Sequence, residues 1–223
     1  MATSNPHTPV ALLGGTFDPV HLGHLGLADD ARRTLGVDEV RLMPAGDPPH
    51  RNAPGASGAH RMAMLRLAVE RHPGLAIDDR ELRRRGKSYT SITLDELRAE
   101  DPVRPLILIL GADAFRGLPT WHRWRDLLSL AHVAVAARPR DPFDAALPDE
   151  LLPLWRERRT ADVGDLLSAP AGRILVVPIV PRDISASAIR TALSRGGADA
   201  LSVRALLPPA VWDYIALHRL YAV

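Results

Sequence analysis

Gly14-Gly15-Thr16-Phe17-Asp18-Pro19-Val20-His21-Leu22-Gly23-His24 lies between an apolar run, Val10-Ala11-Leu12-Leu13, and a segment of helical spacing, Leu25-Gly26-Leu27-Ala28-Asp29-Asp30-Ala31. The run before it reads as a short buried strand and the segment after it as the start of a helix. A strand, a glycine turn and a helix N-terminus together form an anion pocket. Free backbone N–H groups point outward there, and the helix dipole favours negative charge. Two imidazoles three residues apart fall one helical turn apart on one face, aimed at the same place.

Taken singly, each part has a plainer reading. A glycine pair after a strand often marks only a tight turn, a single histidine is commonly structural, and Asp-Pro starts many turns. Their conjunction within eleven residues is what points to chemistry at phosphorus, of the nucleotidyl-transfer kind. The other phosphate motifs are absent, with neither G-x-x-x-x-G-K-[ST] nor a G-x-G-x-x-G after a strand. A zinc site built from His21, His24 and Asp18 is the competing reading. No further ligand cluster at metal spacing supports it, and the chain has no cysteine.

Working outward, strands and helices alternate. Residues 22–35 read as the first helix, 37–44 as a second strand, and Pro44–Arg51 as a proline-rich loop. Ser57 is placed to cap a helix running to about Arg71, with Met62, Leu65 and Val69 on one face. Leu75–Asp78 reads as a third strand. A helix from Tyr89 to about Glu100 has Thr90 or Ser91 as its expected cap. Leu106-Ile107-Leu108-Ile109-Leu110 is an unbroken apolar run suited to the centre of a parallel sheet, and it ends in Gly111-Ala112-Asp113. Trp124–Leu130 is expected to be helical and His132–Ala136 a strand. Residues 138–172 read as a long excursion with one short helix around 150–158, the part expected to vary and move most. Arg173–Val177 is the last strand, followed by helices at 185–194 and 208–220. The class is therefore α/β with a mainly parallel sheet. Ligands are expected at the carboxyl ends of its strands, where the strand order reverses.

The 223 residues fit one domain over 1–223, the helices of about 185–220 packed on it. A net charge of +2 and an aromatic content of 4% argue against a nucleic-acid binder, which shows a clustered basic face with stacking aromatics. No apolar run is long enough to span a membrane, and the first nine residues do not read as a signal peptide. A cytoplasmic enzyme is expected, and assembly into a homo-oligomer is compatible with the sequence.

With these residues in view, the chain resembles the bacterial nicotinate mononucleotide adenylyltransferases of the H-x-G-H nucleotidyltransferase superfamily. The signature is His21-Leu22-Gly23-His24. Further matches are Pro48-Pro49-His50-Arg51, Ser88-Tyr89-Thr90, Gly111-Ala112-Asp113, Pro119-Thr120-Trp121 and Ile184-Ser185-Ala186-Ser187-Ala188-Ile189-Arg190, in the family's order. The resemblance spans residues 14 to 190. It departs at Ser187, where the family more often has threonine, and it finds nothing in the 138–172 excursion, which is assigned no role.

The resemblance implies a Rossmann-like fold with helices on both faces of the sheet, and transfer of AMP from ATP to nicotinate mononucleotide in NAD biosynthesis. His21 and His24 are the implied catalytic residues, in contact with the ATP phosphates. Gly14, Gly15, Thr16 and Phe17 line those phosphates, and Gly111, Asp113, Ile184, Ser185 and Arg190 complete the ATP side. Thr16, His50, Arg51, Tyr89, Thr90, Trp121 and His122 are the implied mononucleotide contacts, Trp121 by stacking. Read without the resemblance, Trp121 could instead bury a helix face, Asp113 cap a helix, and Arg190 lie solvated on one. Magnesium is expected to arrive with ATP, no residue being assigned to a protein-held metal. The alternatives are a sister adenylyltransferase acting on phosphopantetheine and a non-catalytic nucleotide- or RNA-binding module.

Overall fold

A computed structural model describes residues 8–47, 54–138 and 143–222. The opening apolar run forms β1 (Val10–Gly15), and after a six-residue turn the chain enters α1 (Leu22–Leu35). Arg32 and Arg33 in the last turn of α1 complement the negative end of the helix dipole. β2 (Val40–Pro44) starts three residues later than its apolar pattern suggests. α2 (Gly58–Val69) begins where expected, the Ser57 hydroxyl accepting from the His60 N–H at 3.3 Å. Then follow β3 (Leu75–Ile77), α3 (Arg80–Arg83), α4 (Thr90–Glu100), β4 (Leu106–Gly111) and α5 (Ala112–Arg116). The second half comprises α6 (Leu127–Leu130), β5 (His132–Ala137), α7 (Leu152–Arg158), β6 (Arg159–Thr160), α8 (Gly164–Ser168), β7 (Ile174–Pro178), α9 (Ala186–Arg195), α10 (Gly197–Ser202) and α11 (Pro209–Leu217).

All seven strands run parallel, in the order β3-β2-β1-β4-β5-β7-β6. Such a sheet must be covered on both sides, and side chains alternate between its two faces. Ala11, Leu13, Ile107 and Ile109 enter one core, with Leu25 and Ala31 of α1, Met64 and Leu65 of α2, Ile189 of α9 and Ile215 of α11. Val10, Leu12, Leu106 and Leu108 enter the other, with Leu94 and Leu97 of α4, Phe115 of α5, Leu127 of α6 and Trp155 of α7. The direction of strand addition reverses between β1 and β4. The crevice beyond their carboxyl ends is the natural ligand position of an open α/β sheet.

The structure departs from the sequence reading at several points. The buried stripe of α2 is Arg61, Met64, Leu65 and Ala68 rather than Met62, Leu65 and Val69. The stripe is rotated because Arg61 is only 1% exposed, its guanidinium donating to the carbonyls of Thr16 (2.8 Å) and Gly46 (3.4 Å). Neither Thr90 nor Ser91 caps α4. Tyr89 holds the cap position in extended backbone without a side-chain bond, and Ser91 is buried. Residues 124–130 divide into a 3-10 turn and α6. The 138–172 excursion contains a 3-10 turn, α7, β6 and α8, and β6 extends the sheet by pairing with β7. The last helix stops at Leu217, short of Leu220.

Candidate active site

The β1–α1 turn is built from the inside out. Phe17 adopts a left-handed backbone (φ 49°), and its ring is buried against the His24 ring, with centroids 5.0 Å apart. His21 occupies the N-cap of α1 in extended backbone without a side-chain cap bond, and no acidic residue lies in the first turn. The positive end of α1 is therefore not neutralised by a side chain, which suits an anion. The His21 and His24 rings stack, with centroids 3.7 Å apart and planes at 20°. Gly23 allows this: a Cβ there would lie 2.9 Å from His21 Nδ1 and 3.3 Å from Ile184 Cβ.

Burial lowers the His21 pKa to about 4, and its Nδ1 has no hydrogen-bond partner among the described residues. Two stacked imidazolium ions would repel, so a neutral His21 beside His24 is the arrangement that electrostatics favours. A neutral imidazole still has one N–H to donate.

Two cavities open on this turn and share Gly14, Gly15, Thr16 and Asp113. The larger, about 920 Å³, contains Phe17, His21, His24, Ile184, Ser185 and Arg190. The smaller, about 360 Å³, contains Tyr89, Thr90, Gly111, Trp121 and His122. The predicted residues thus separate into the two expected groups around one seam. Gly111 is the exception, lining the smaller cavity and a third hollow that also includes Asp113 and Arg138. His50 and Arg51 lie outside the described residues.

In the smaller cavity the Tyr89 and His122 rings lie 4.4 Å apart and tilted. Trp121 is partly buried, packed against the second core together with Trp124, and it also lines this space. The uncapped N-terminus of α4 sits here as well, at Thr90.

In the larger cavity Ser185 does cap α9, accepting from the Ala188 N–H at 3.5 Å. Asp113 is no cap. Gly111 holds that position on α5, and the Asp113 side chain is fully exposed, 3.0 Å from Arg116. Arg190 is not merely solvated, since its Nη1 donates to the Asp18 carbonyl at 2.6 Å.

Sequence reasoning missed several residues here. Asp18, considered only as a turn starter or zinc ligand, is 3% exposed. Its carboxylate accepts from the N–H groups of Gly55 (2.7 Å) and Ala56 (3.0 Å) and from the Tyr221 hydroxyl (2.7 Å). Burial and this carboxylate together push the Tyr221 hydroxyl pKa far up. Asp18 is thus tied to the Gly55–Ala56 backbone and Tyr221, and among the described residues no group of three His, Asp or Glu side chains is placed to hold a metal. Arg138 and Arg182 line the larger cavity. Arg138 had a signal, its place at the carboxyl end of β5. Arg182, held by Asp30 at 2.7 Å, had none.

A doubly wound parallel sheet with a glycine turn, an uncapped helix N-terminus and paired imidazoles at its switch point has the architecture of a Rossmann-like nucleotidyltransferase. The chain belongs to the cytidylyltransferase-like family, whose profile matches residues 12–192. Among its relatives, a protein of Laribacter hongkongensis (strain HLHK9) named "Probable nicotinate-nucleotide adenylyltransferase" is 50% identical over 218 residues, covering 97% of this chain and 96% of that protein. One of the same name from Dechloromonas aromatica (strain RCB) is 47% identical over 215 residues, covering 96% and 97%. Among solved structures, Plasmodium falciparum nicotinic acid mononucleotide adenylyltransferase complexed with NaAD superposes with a TM-score of 0.72 at 18% identity, over 96% of this chain and 98% of that one. That likeness is one of fold. Among the described residues no helix is long and apolar enough to cross a membrane.

Proposed function

We infer that the chain is a nicotinate-nucleotide adenylyltransferase. It transfers AMP from ATP to nicotinate mononucleotide, forming nicotinate adenine dinucleotide and pyrophosphate in NAD biosynthesis. The observation that carries the reading is the pair of cavities meeting on Gly14–Thr16, one with the imidazoles and one with Trp121. The larger lobe takes ATP and the smaller takes the mononucleotide, so that the two reacting phosphates meet at the seam.

A 5′-phosphate oxygen of the mononucleotide attacks the α-phosphorus of ATP. The bond from that phosphorus to the oxygen bridging to the β-phosphate breaks, and pyrophosphate leaves. The attacking phosphate is anionic at neutral pH and needs no general base. The protein's contribution is positioning and stabilisation of charge on the phosphate oxygens. His21 and His24 donate to those oxygens, together with the N–H groups of the turn and of α1. Trp121 stacks on the pyridine ring. Main-chain N–H groups at the start of α4 near Thr90, and at His122, receive the nicotinate carboxylate.

Magnesium enters as part of the substrate, on the phosphates of ATP. The two carboxylates in the larger lobe are committed elsewhere, Asp18 to Gly55, Ala56 and Tyr221 and Asp113 to Arg116, so they do not make a cage for the ion. Three rings line the smaller lobe, those of Tyr89, Trp121 and His122, which suits a planar ring better than the flexible chain of phosphopantetheine. Pyrophosphate release from Mg-ATP across a panel of acceptors tests the reading. Nicotinate mononucleotide is expected to be the most efficient, above nicotinamide mononucleotide, because charge-assisted hydrogen bonds to the carboxylate are the stronger. Higher efficiency with phosphopantetheine, or no acceptor-dependent release, would refute it.

A further inference from the structure

Beneath the smaller lobe lies a carboxylate that the reaction does not use. Glu81, in α3, is 6% exposed and lines the cavity. Thr93 Oγ1 donates to its Oε1 at 2.7 Å, and the Ser88 hydroxyl favours its charged form.

A count of donors and acceptors shows what this arrangement requires. A hydroxyl has one proton to give and two lone pairs to receive. Ser88 Oγ already accepts from the N–H groups of Gly46 (2.9 Å) and Asp47 (3.3 Å). Thr93 Oγ1 already accepts from Arg84 Nη1 and Nη2, both at 3.1 Å. Each hydroxyl therefore has only its proton left, and Glu81 receives that of Thr93.

The segments tied together are those that shape the acceptor lobe. Ser88 N–H donates to the Asp47 carbonyl at 2.9 Å, closing a two-way link between the end of β2 and the approach to α4. Gly46 packs so closely on α3 that a Cβ there would lie 2.3 Å from the Glu81 carbonyl oxygen. Arg84 is in turn anchored by Glu96 of α4 at 2.5 and 2.9 Å. Burial raises the Glu81 pKa, while the two hydroxyls and Arg84 oppose that rise.

We propose that Glu81 is a positioning residue for acceptor recognition: through Thr93 it fixes the start of α4, and with it the Ser88–Thr90 backbone that presents N–H groups to the pyridine mononucleotide. This rests on the assignment of the smaller lobe to the mononucleotide. Glu81 touches neither reacting phosphate.

The test compares Glu81→Gln, Ser88→Ala and the double variant by steady-state kinetics with each substrate varied in turn, alongside thermal unfolding. Glutamine keeps the shape but removes the negative charge that Thr93 and Arg84 hold in place. The KM for nicotinate mononucleotide is expected to rise roughly tenfold in Glu81→Gln, the scale of one weakened charge-assisted hydrogen bond. The KM for ATP and kcat should stay within about threefold, since the interaction acts on substrate binding alone. Ser88→Ala should give a similar rise, and the double variant no more than the larger single effect, because both act through one backbone segment.

An unchanged mononucleotide KM in Glu81→Gln, or equal rises in both KM values, overturns the proposal. Should Glu81→Gln fail to fold, Ser88→Ala decides by the same criterion. Wild-type turnover is measured first. Its absence with any pyridine mononucleotide refutes the proposed function and this inference with it, whereas an active wild type with an unaltered Glu81→Gln KM refutes this inference alone.

Discussion

Gly23→Ala probes the site through a single methyl group. The added carbon would stand 2.9 Å from His21 Nδ1, 3.0 Å from His21 Cε1 and 3.3 Å from Ile184 Cβ. Comfortable heavy-atom contacts begin at about 3.5 Å, so the His21 ring must retreat by roughly half an ångström. It has little room, being 4% exposed and stacked on His24 at 3.7 Å. Two terms oppose each other in stability. Alanine is the better helix former by about 1 kcal/mol, and overpacking costs about 1–3 kcal/mol. The net loss is therefore about 0–2 kcal/mol, a fall in Tm of no more than about 8 °C for a domain of this size. The effect on rate is larger. A misplacement of about 1 Å costs about a hundredfold, so half of that predicts roughly tenfold in kcat. The KM for the mononucleotide should stay within about twofold, because neither His21 nor Gly23 lines the smaller lobe. Thermal unfolding by circular dichroism and pyrophosphate-coupled kinetics measure both quantities. A folded Gly23→Ala protein with kcat within twofold of wild type would refute the argument that the His21 position is set by this contact and matters for turnover.

Trp121→Ala should raise the KM for the mononucleotide by the worth of one stacked ring, about 1–3 kcal/mol, and leave that for ATP nearly unchanged; a lowered Tm with both KM values intact would return Trp121 to a packing role. His24→Ala should fold normally, bind ATP within roughly tenfold and lose at least about a hundredfold in kcat, as expected for one preorganised donor; near-normal single-turnover rates would contradict this. Because burial lowers the His21 pKa to about 4, between roughly pH 6.5 and 4 the unfolded chain binds a proton that the folded chain refuses. Stability from this residue is thus complete above about pH 6.5 and is lost as pH falls toward 4, by about 3 kcal/mol. Denaturant unfolding of wild type and His21→Asn over that range should show the gap, and parallel pH profiles would refute it.

The parts of the fold legible in the sequence are those where one local pattern decides the outcome. The apolar run of β4, the strand-turn-helix at 10–35 and the Ser57 and Ser185 caps all follow from neighbouring residues. Parts fixed by distant partners were not legible. Hydropathy assigns Arg61 to solvent, yet two carbonyls from other segments receive its guanidinium and rotate the buried face of α2. Short elements such as α3, α8 and β6 are too brief for periodicity to register. In the site, the residues at 14–24 stood out because their chemistry is concentrated locally, whereas 88–90, 119–121 and 184–190 were singled out through the resemblance to a known family. The network on Asp18 joins residues as far apart as Tyr221, and the link from Glu81 to Thr93 closes only when α3 and α4 pack together. No spacing rule reaches across such gaps. Proline at Pro44 and Gly46-Asp47 marks a loop, but nothing there shows that Ser88 holds its base.

The central claim, that the Gly14–Thr16 turn is the seam between an ATP lobe and a mononucleotide lobe, is tested most directly by a crystal structure with the dinucleotide product bound. The account predicts one molecule spanning both cavities. Its pyridine ring should lie on Trp121 with the carboxylate near Thr90, its phosphates on Gly15–Phe17 beside His21 and His24, and its adenosine toward Asp113 and Ile184. A dinucleotide with its pyridine in the larger cavity, or one bound away from the seam, would contradict it.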